Sequence, residues 1–188
     1  MQFLTDLWMP ILVSAAICFV WAAIAWMALP HHKTEWKRLP SEPDVLDALR
    51  KSMPPPGLYA FPFARGADMN RPDIKTAMEK GPVGFVTIGP SGAMNMGKMM
   101  AQSVVFYLVT STLAAYVAWH AAPGSHLGVP YLTTFRIVGT VATMAYVLGT
   151  VPESIWFARP WKSWAYTLFD GTVMGLMTAG SFGWLWPK

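Results

Sequence analysis

Charged residues are scarce in this chain. Asp, Glu, Lys and Arg make up 13% of 188 residues, against 54% hydrophobic. A soluble domain of this size interleaves charge through its apolar segments. The composition therefore excludes an ordinary soluble globule and points to one integral membrane domain over residues 1–188. Cysteine is limited to Cys18, which excludes an intrachain disulfide and a C-x-x-C haem attachment. The opening residues, MQFLTD, carry no basic side chain, and the apolar run behind them outlasts a secretory h-region. The expectation is a retained transmembrane helix rather than a cleaved signal. No nucleophile–base pair is recognisable. The net charge of +4 does not argue for nucleic acid, because the basic residues flank apolar runs, where the positive-inside bias accounts for them.

Four apolar runs stand out, at residues 7–29, 101–121, 133–151 and 164–186. Each is about long enough to cross a hydrocarbon core of ~30 Å as a helix. The fold class expected is an all-α membrane protein, four transmembrane helices in a compact bundle, with a cytoplasmic loop at 30–100. Lys33, Lys37, Arg38, Lys80, Lys98, Arg159 and Lys162 fall on one side of this arrangement, and residues 121–132 lack Lys and Arg altogether. The bias puts both termini outside a bacterial inner membrane. Trp8, Trp119, Trp184 and Trp186 mark the outer boundary, and Trp26, Trp36, Trp156, Trp161 and Trp164 the inner one.

Within 30–100, Ser41 with Glu42 and Asp44 reads as a helix start. Val45, Leu46, Leu49 and Met53 form its apolar stripe, and Pro54 ends it. A second short helix fits 73–80, and 83–88 reads as a strand or extended segment. In the last run Gly171, Gly175, Ala179 and Gly183 recur every four residues, a small-residue stripe suited to close helix packing.

Asp170 is the sharpest single residue. It lies about 9 Å along the helix from Trp164, and an acid at mid-membrane costs roughly 2.5–3.5 kcal/mol, so it needs a partner. Tyr107 and Tyr146 match its depth and are the expected partners. His31, His32 and Glu35 sit where the first run leaves the membrane and form an interfacial group. A metal there would need further ligands, with Glu35 the nearest candidate, and no two histidines are placed to hold a haem. Residues 92–98, GAMNMGK, come close to a phosphate-binding loop, but Met99 stands where a Ser or Thr would hold Mg²⁺. Met94, Met96, Met99 and Met100 read as flexible packing rather than a copper site. No haem, nucleotide or structural metal is expected.

The strings LPHHKTEWKRLP after the first run, GPVGF at 81–85, FRIVGT at 135–140 and FGWLWP at 182–187 resemble a family of small uncharacterised bacterial inner-membrane proteins with an LPHHK-type motif. The resemblance implies a multi-span architecture and a bacterial origin, and carries no activity, cofactor or catalytic residue. Taken together, the reading expected is a non-catalytic accessory subunit of a larger bacterial membrane complex, respiratory or photosynthetic in type, with the lipid bilayer and other membrane subunits as partners. Two alternatives stand beside it. One is a small transporter or channel using Asp170. The other is an interfacial enzyme acting on lipid or quinone through His31, His32 and Glu35.

Overall fold

The computed structural model of the chain describes residues 2–122 and 126–188. In chain order its elements are α1 (Gln2–Asp6), α2 (Trp8–Met27), α3 (Pro30–Lys33), α4 (Glu42–Ser52), β1 (Gly57–Phe61), a 3₁₀ turn at Gly66–Asn70, α5 (Pro72–Lys80), β2 (Gly84–Ile88), α6 (Met96–Ala121), α7 (Tyr131–Val147), a 3₁₀ turn at Leu148–Thr150, α8 (Val151–Trp156) and α9 (Trp161–Leu185). Proline sets many of these starts. It occupies the first turn of α3, α4 and α5 and directly precedes α7 and α9. There its fixed φ suits a helix entry and its missing N–H is not needed.

Among the described residues, three helical stretches are long and apolar enough to cross a membrane: Trp8–Met27, Met96–Ala121 and Tyr131–Trp156. This corrects the expectation of four spans. Helix α9 has 25 residues, but Asp170, Gly171, Thr172, Gly175, Thr178, Gly180, Ser181 and Gly183 lower its hydropathy below that of the other three. The placement of both termini on one side required an even number of spans and lapses with it.

The chain forms two compact units. The first comprises Met1–Trp36, Asn95–Pro152 and Pro160–Lys188. In it α9 lies along α7, and α2 packs on both α6 and α9. The small stripe of α9 makes the α7 contact. A Cβ added at Gly171 would meet Val147 Cγ2 at 2.5 Å, one at Gly175 would run into Thr143, and one at Gly183 would meet the Tyr131 ring at 2.6 Å. Ala179 faces Gly139. Backbones this close gain dispersion contact along their length, the main source of helix association in lipid. Buried polar pairs cross the same core: Ser14 Oγ donates to Ser111 Oγ at 3.0 Å, and Cys18 Sγ lies 3.4 Å from Thr178 Oγ1.

The second unit comprises Lys37–Met94 and Glu153–Arg159. It corrects the expectation of a loop at 30–100. Strands β1 and β2 pair antiparallel with Gly57 opposite Ile88 and Phe61 opposite Gly84. Gly84 leaves room for the Phe61 ring, which a Cβ would approach to 3.0 Å. Phe85 packs edge-on against Phe157 at 5.5 Å. Strand-forming residues in LYAF and GFVTI thus satisfy their backbone groups on each other. Helix α4 has Glu42 and Asp44 in its first turn and Arg50 and Lys51 in its last, both favourable to the helix dipole. It starts where the sequence indicated, but Ser41 adopts a left-handed conformation and its hydroxyl does not cap the helix. Beside α5, the Arg71 guanidinium hydrogen-bonds Asp73 and holds its carboxyl below the usual carboxylate range.

Asn95 is the true cap of α6: its Oδ1 accepts from the Lys98 N–H at 2.9 Å. Gly97 and Lys98 are therefore in the first turn of a helix that begins at Met96, well before residue 101.

Candidate acid–imidazole centre

The centre begins with a helix break. Helix α2 ends at Met27, and Leu29 is extended (ψ 144°) because it precedes Pro30. Pro30 then opens the single turn α3, which carries His31 and His32. Both rings turn onto Asp170 of α9. His32 Nε2 lies 2.8 Å, and His31 Nε2 3.0 Å, from the same oxygen, Asp170 Oδ2. The second nitrogen of His32, Nδ1, lies 2.7 Å from Glu35 Oε2. The side chains are 6% exposed for His32, 10% for Asp170 and Glu35, and 17% for His31, so the contacts are largely shielded from water. Trp26 stacks flat on His32, with centroids 4.1 Å apart and 4° between planes. Tyr166, one helical turn before Asp170, sets its ring edge-on to His31 at 5.3 Å. The other carboxylate oxygen, Asp170 Oδ1, is buried without a hydrogen-bond partner.

These contacts cannot all be made by neutral rings and ionised acids. An ionised carboxylate only accepts, and a neutral imidazole has one N–H to give. His32 meets a carboxylate oxygen at each nitrogen, and a second imidazole converges on one of those oxygens. A single added proton, on His32 or on either acid, completes all three contacts. The three donor atoms lie within 4.8 Å of one another.

Asp170 therefore sits with the interfacial group His31, His32 and Glu35, and its hydrogen-bond partners are those histidines rather than the expected Tyr107 and Tyr146. The two tyrosines lie beside each other, centroids 6.2 Å apart, in a core cluster with Ala15, Cys18, Ala142 and Val147. That expectation took depth from position along straight spans, whereas the chain breaks at Leu29–Pro30 and α3 brings both histidines to Asp170 of α9. The objection that a metal at His31 and His32 lacks a third ligand also loses its ground, since Asp170 provides one. Trp26 was read from sequence only as an inner-boundary marker, and Tyr166 was not singled out. Tyr166 could have been found from its four-residue spacing to Asp170. A groove of about 490 Å³ runs beside Phe135, Arg136, Gly139, Thr143, Leu168 and Leu176, and its lining includes no residue of the centre. Compared with protein-family models, with curated proteins and with solved structures, the chain matches none of them.

Proposed function

We propose that the protein is a small cation-binding membrane protein of a bacterial inner membrane, and that the His31–His32–Asp170 centre is its working part. The observation that carries this reading is the convergence of two imidazole nitrogens on one buried carboxylate oxygen at 2.8 and 3.0 Å, with Glu35 already occupying the far side of His32. Donor atoms arranged in this way attract a positive charge, and burial strengthens the attraction. The test is thermal unfolding of the full-length protein in detergent against a panel of Na⁺, K⁺, Mg²⁺, Ca²⁺, Mn²⁺ and Zn²⁺. A bound cation at a hundred times its Kd stabilises by about 2.7 kcal/mol, and Asp170→Asn should remove the shift. A panel in which no cation stabilises the wild-type protein overturns the reading.

A second reading, an accessory subunit in a larger membrane complex, is favoured by the exposed apolar side chains of the Lys37–Met94 unit. Leu58 is 84% and Phe63 72% exposed, outside any stretch apolar enough to span a membrane. Apolar exposure of this kind marks a contact surface. Gentle extraction followed by native mass spectrometry should find a second polypeptide that Leu58→Ser/Phe63→Ser releases. Recovery of the chain alone, with or without copies of itself, counts against it.

A further inference from the structure

Resting on the cation-binding reading, we infer that the cation is a divalent first-row transition-metal ion of the Zn²⁺, Fe²⁺ or Mn²⁺ kind. Its ligands are His31 Nε2, His32 Nε2 and the Asp170 carboxylate, and Glu35 positions His32. The donor set comes first. Two imidazole nitrogens and one carboxylate suit these ions, whereas Mg²⁺ and Ca²⁺ take oxygen ligands and Cu(I) takes sulfur. Cys18 Sγ is engaged with Thr178 inside the bundle and is not part of this group.

Geometry agrees with the chemistry. Metal bonds of about 2.1 Å put neighbouring ligand atoms roughly 3.0 Å apart at right angles and about 3.4 Å apart at a tetrahedral centre. The two nitrogen–oxygen separations here are 2.8 and 3.0 Å, and all three atoms fall within 4.8 Å. The buried Asp170 Oδ1, which has no hydrogen-bond partner, gains one from a second metal bond or from a metal-bound water.

The surroundings of the ligands point the same way. A metal-bound imidazole usually donates its other N–H to a carboxylate, which fixes the tautomer and the ring plane. Glu35 Oε2 stands 2.7 Å from His32 Nδ1 in that position, and Trp26 holds the ring from its face. Charge closes as well. Two ionised carboxylates with two neutral imidazoles carry −2, which a divalent ion cancels. Three protein ligands leave coordination positions open to water or a small ligand, as in catalytic rather than purely structural sites.

The experiment uses the full-length protein in detergent, stripped with a chelator and titrated with Co²⁺ as a visible probe, then with Zn²⁺, Mg²⁺ and Ca²⁺ by calorimetry. The expected result is one Co²⁺ per chain, with ligand-field bands displaced by Zn²⁺ and untouched by excess Mg²⁺ or Ca²⁺. Asp170→Asn and His31→Gln should abolish the bands. Glu35→Gln should keep them and weaken affinity by about 10–100-fold, with Glu35→Asp recovering part of the loss. Circular dichroism verifies that each variant is folded, and Glu35→Gln decides the matter if an Asp170 variant is not. Absence of Co²⁺ and Zn²⁺ binding, or equal binding in all variants, overturns the inference. Asp170-dependent binding of Mg²⁺, Ca²⁺ or an alkali ion instead overturns the transition-metal assignment and leaves the cation reading standing. Failure of every ion, with only a protonated imidazole–carboxylate pair present, removes both.

Discussion

Alanine substitution of the α9 glycines separates packing from helix propensity at one helix. At Gly175 an added Cβ runs into the Thr143 side chain and comes within 3.1 Å of the Thr143 backbone nitrogen. The backbone cannot rotate away as a side-chain tip can, so α7 and α9 must part. Overpacking of this kind costs about 1–3 kcal/mol, while replacing glycine by alanine inside a helix returns about 0.5–1 kcal/mol. The net expectation for Gly175→Ala is a destabilisation of up to about 2.5 kcal/mol. Gly180, five residues along, has only the Tyr131 hydroxyl within reach, at 4.0 Å. Gly180→Ala therefore receives the helix gain without the clash and should stabilise by about 0.5–1 kcal/mol. Reversible unfolding in mixed micelles, monitored by circular dichroism, reads both. The two substitutions should move the midpoint in opposite directions. Shifts of the same sign and size would refute the reasoning, because they would mean that Gly175 does not bring the α7 backbone against α9.

Other expectations follow from single contacts. Asn95→Ala should fray the first turn of α6, costing about 0.5–2 kcal/mol, seen as faster amide exchange at Lys98 with the helix end near Ala121 unchanged. Ser14→Ala leaves Ser111 without its buried partner and should destabilise by about 0.5–1.5 kcal/mol in the same unfolding assay; the double substitution Ser14→Ala/Ser111→Ala should not cost the sum of the two single ones. Trp26→Ala removes the ring stacked on His32 and should broaden the His32 ring resonances in NMR, while Trp21→Ala, outside the centre, should leave them as they are.

Much of the first unit was legible in the sequence because its signals are local. All four apolar runs became helices, prolines marked entries, and the four-residue repeat of Gly171, Gly175, Ala179 and Gly183 lies on the face that α9 presents to α7. The fourth expected span was misread by length alone. Residues that let α9 pack tightly, its glycines, serines and threonines, are the same ones that lower its hydropathy, so a helix suited to protein contact looks like one suited to lipid until composition is weighed. Residues 30–100 were read as a loop because each element is short. The β1–β2 pairing joins residues 57–61 with 84–88, and no local pattern announces a ladder closed across an intervening helix.

The centre was hidden for a related reason. His31 and Asp170 are 139 residues apart, and Asp170 alone on a helix prompts a search for partners at the same height on straight neighbours. What brings the histidines to it is one extended residue. Leu29, kept out of helical conformation by Pro30, redirects the chain so that α3 turns its side chains onto α9. Adjacent residues on a long helix point about 100° apart and do not share a target. On the single turn α3 they do, both reaching Asp170 Oδ2, and their rings lie 4.3 Å apart with 42° between planes. The arrangement brings two acids and two imidazoles together where little water screens them, which is unfavourable unless a positive charge joins them. The break at Leu29–Pro30 thus collects the donors, and a positive charge among them, whether a protonated imidazole or the proposed cation, offsets the cost of collecting them.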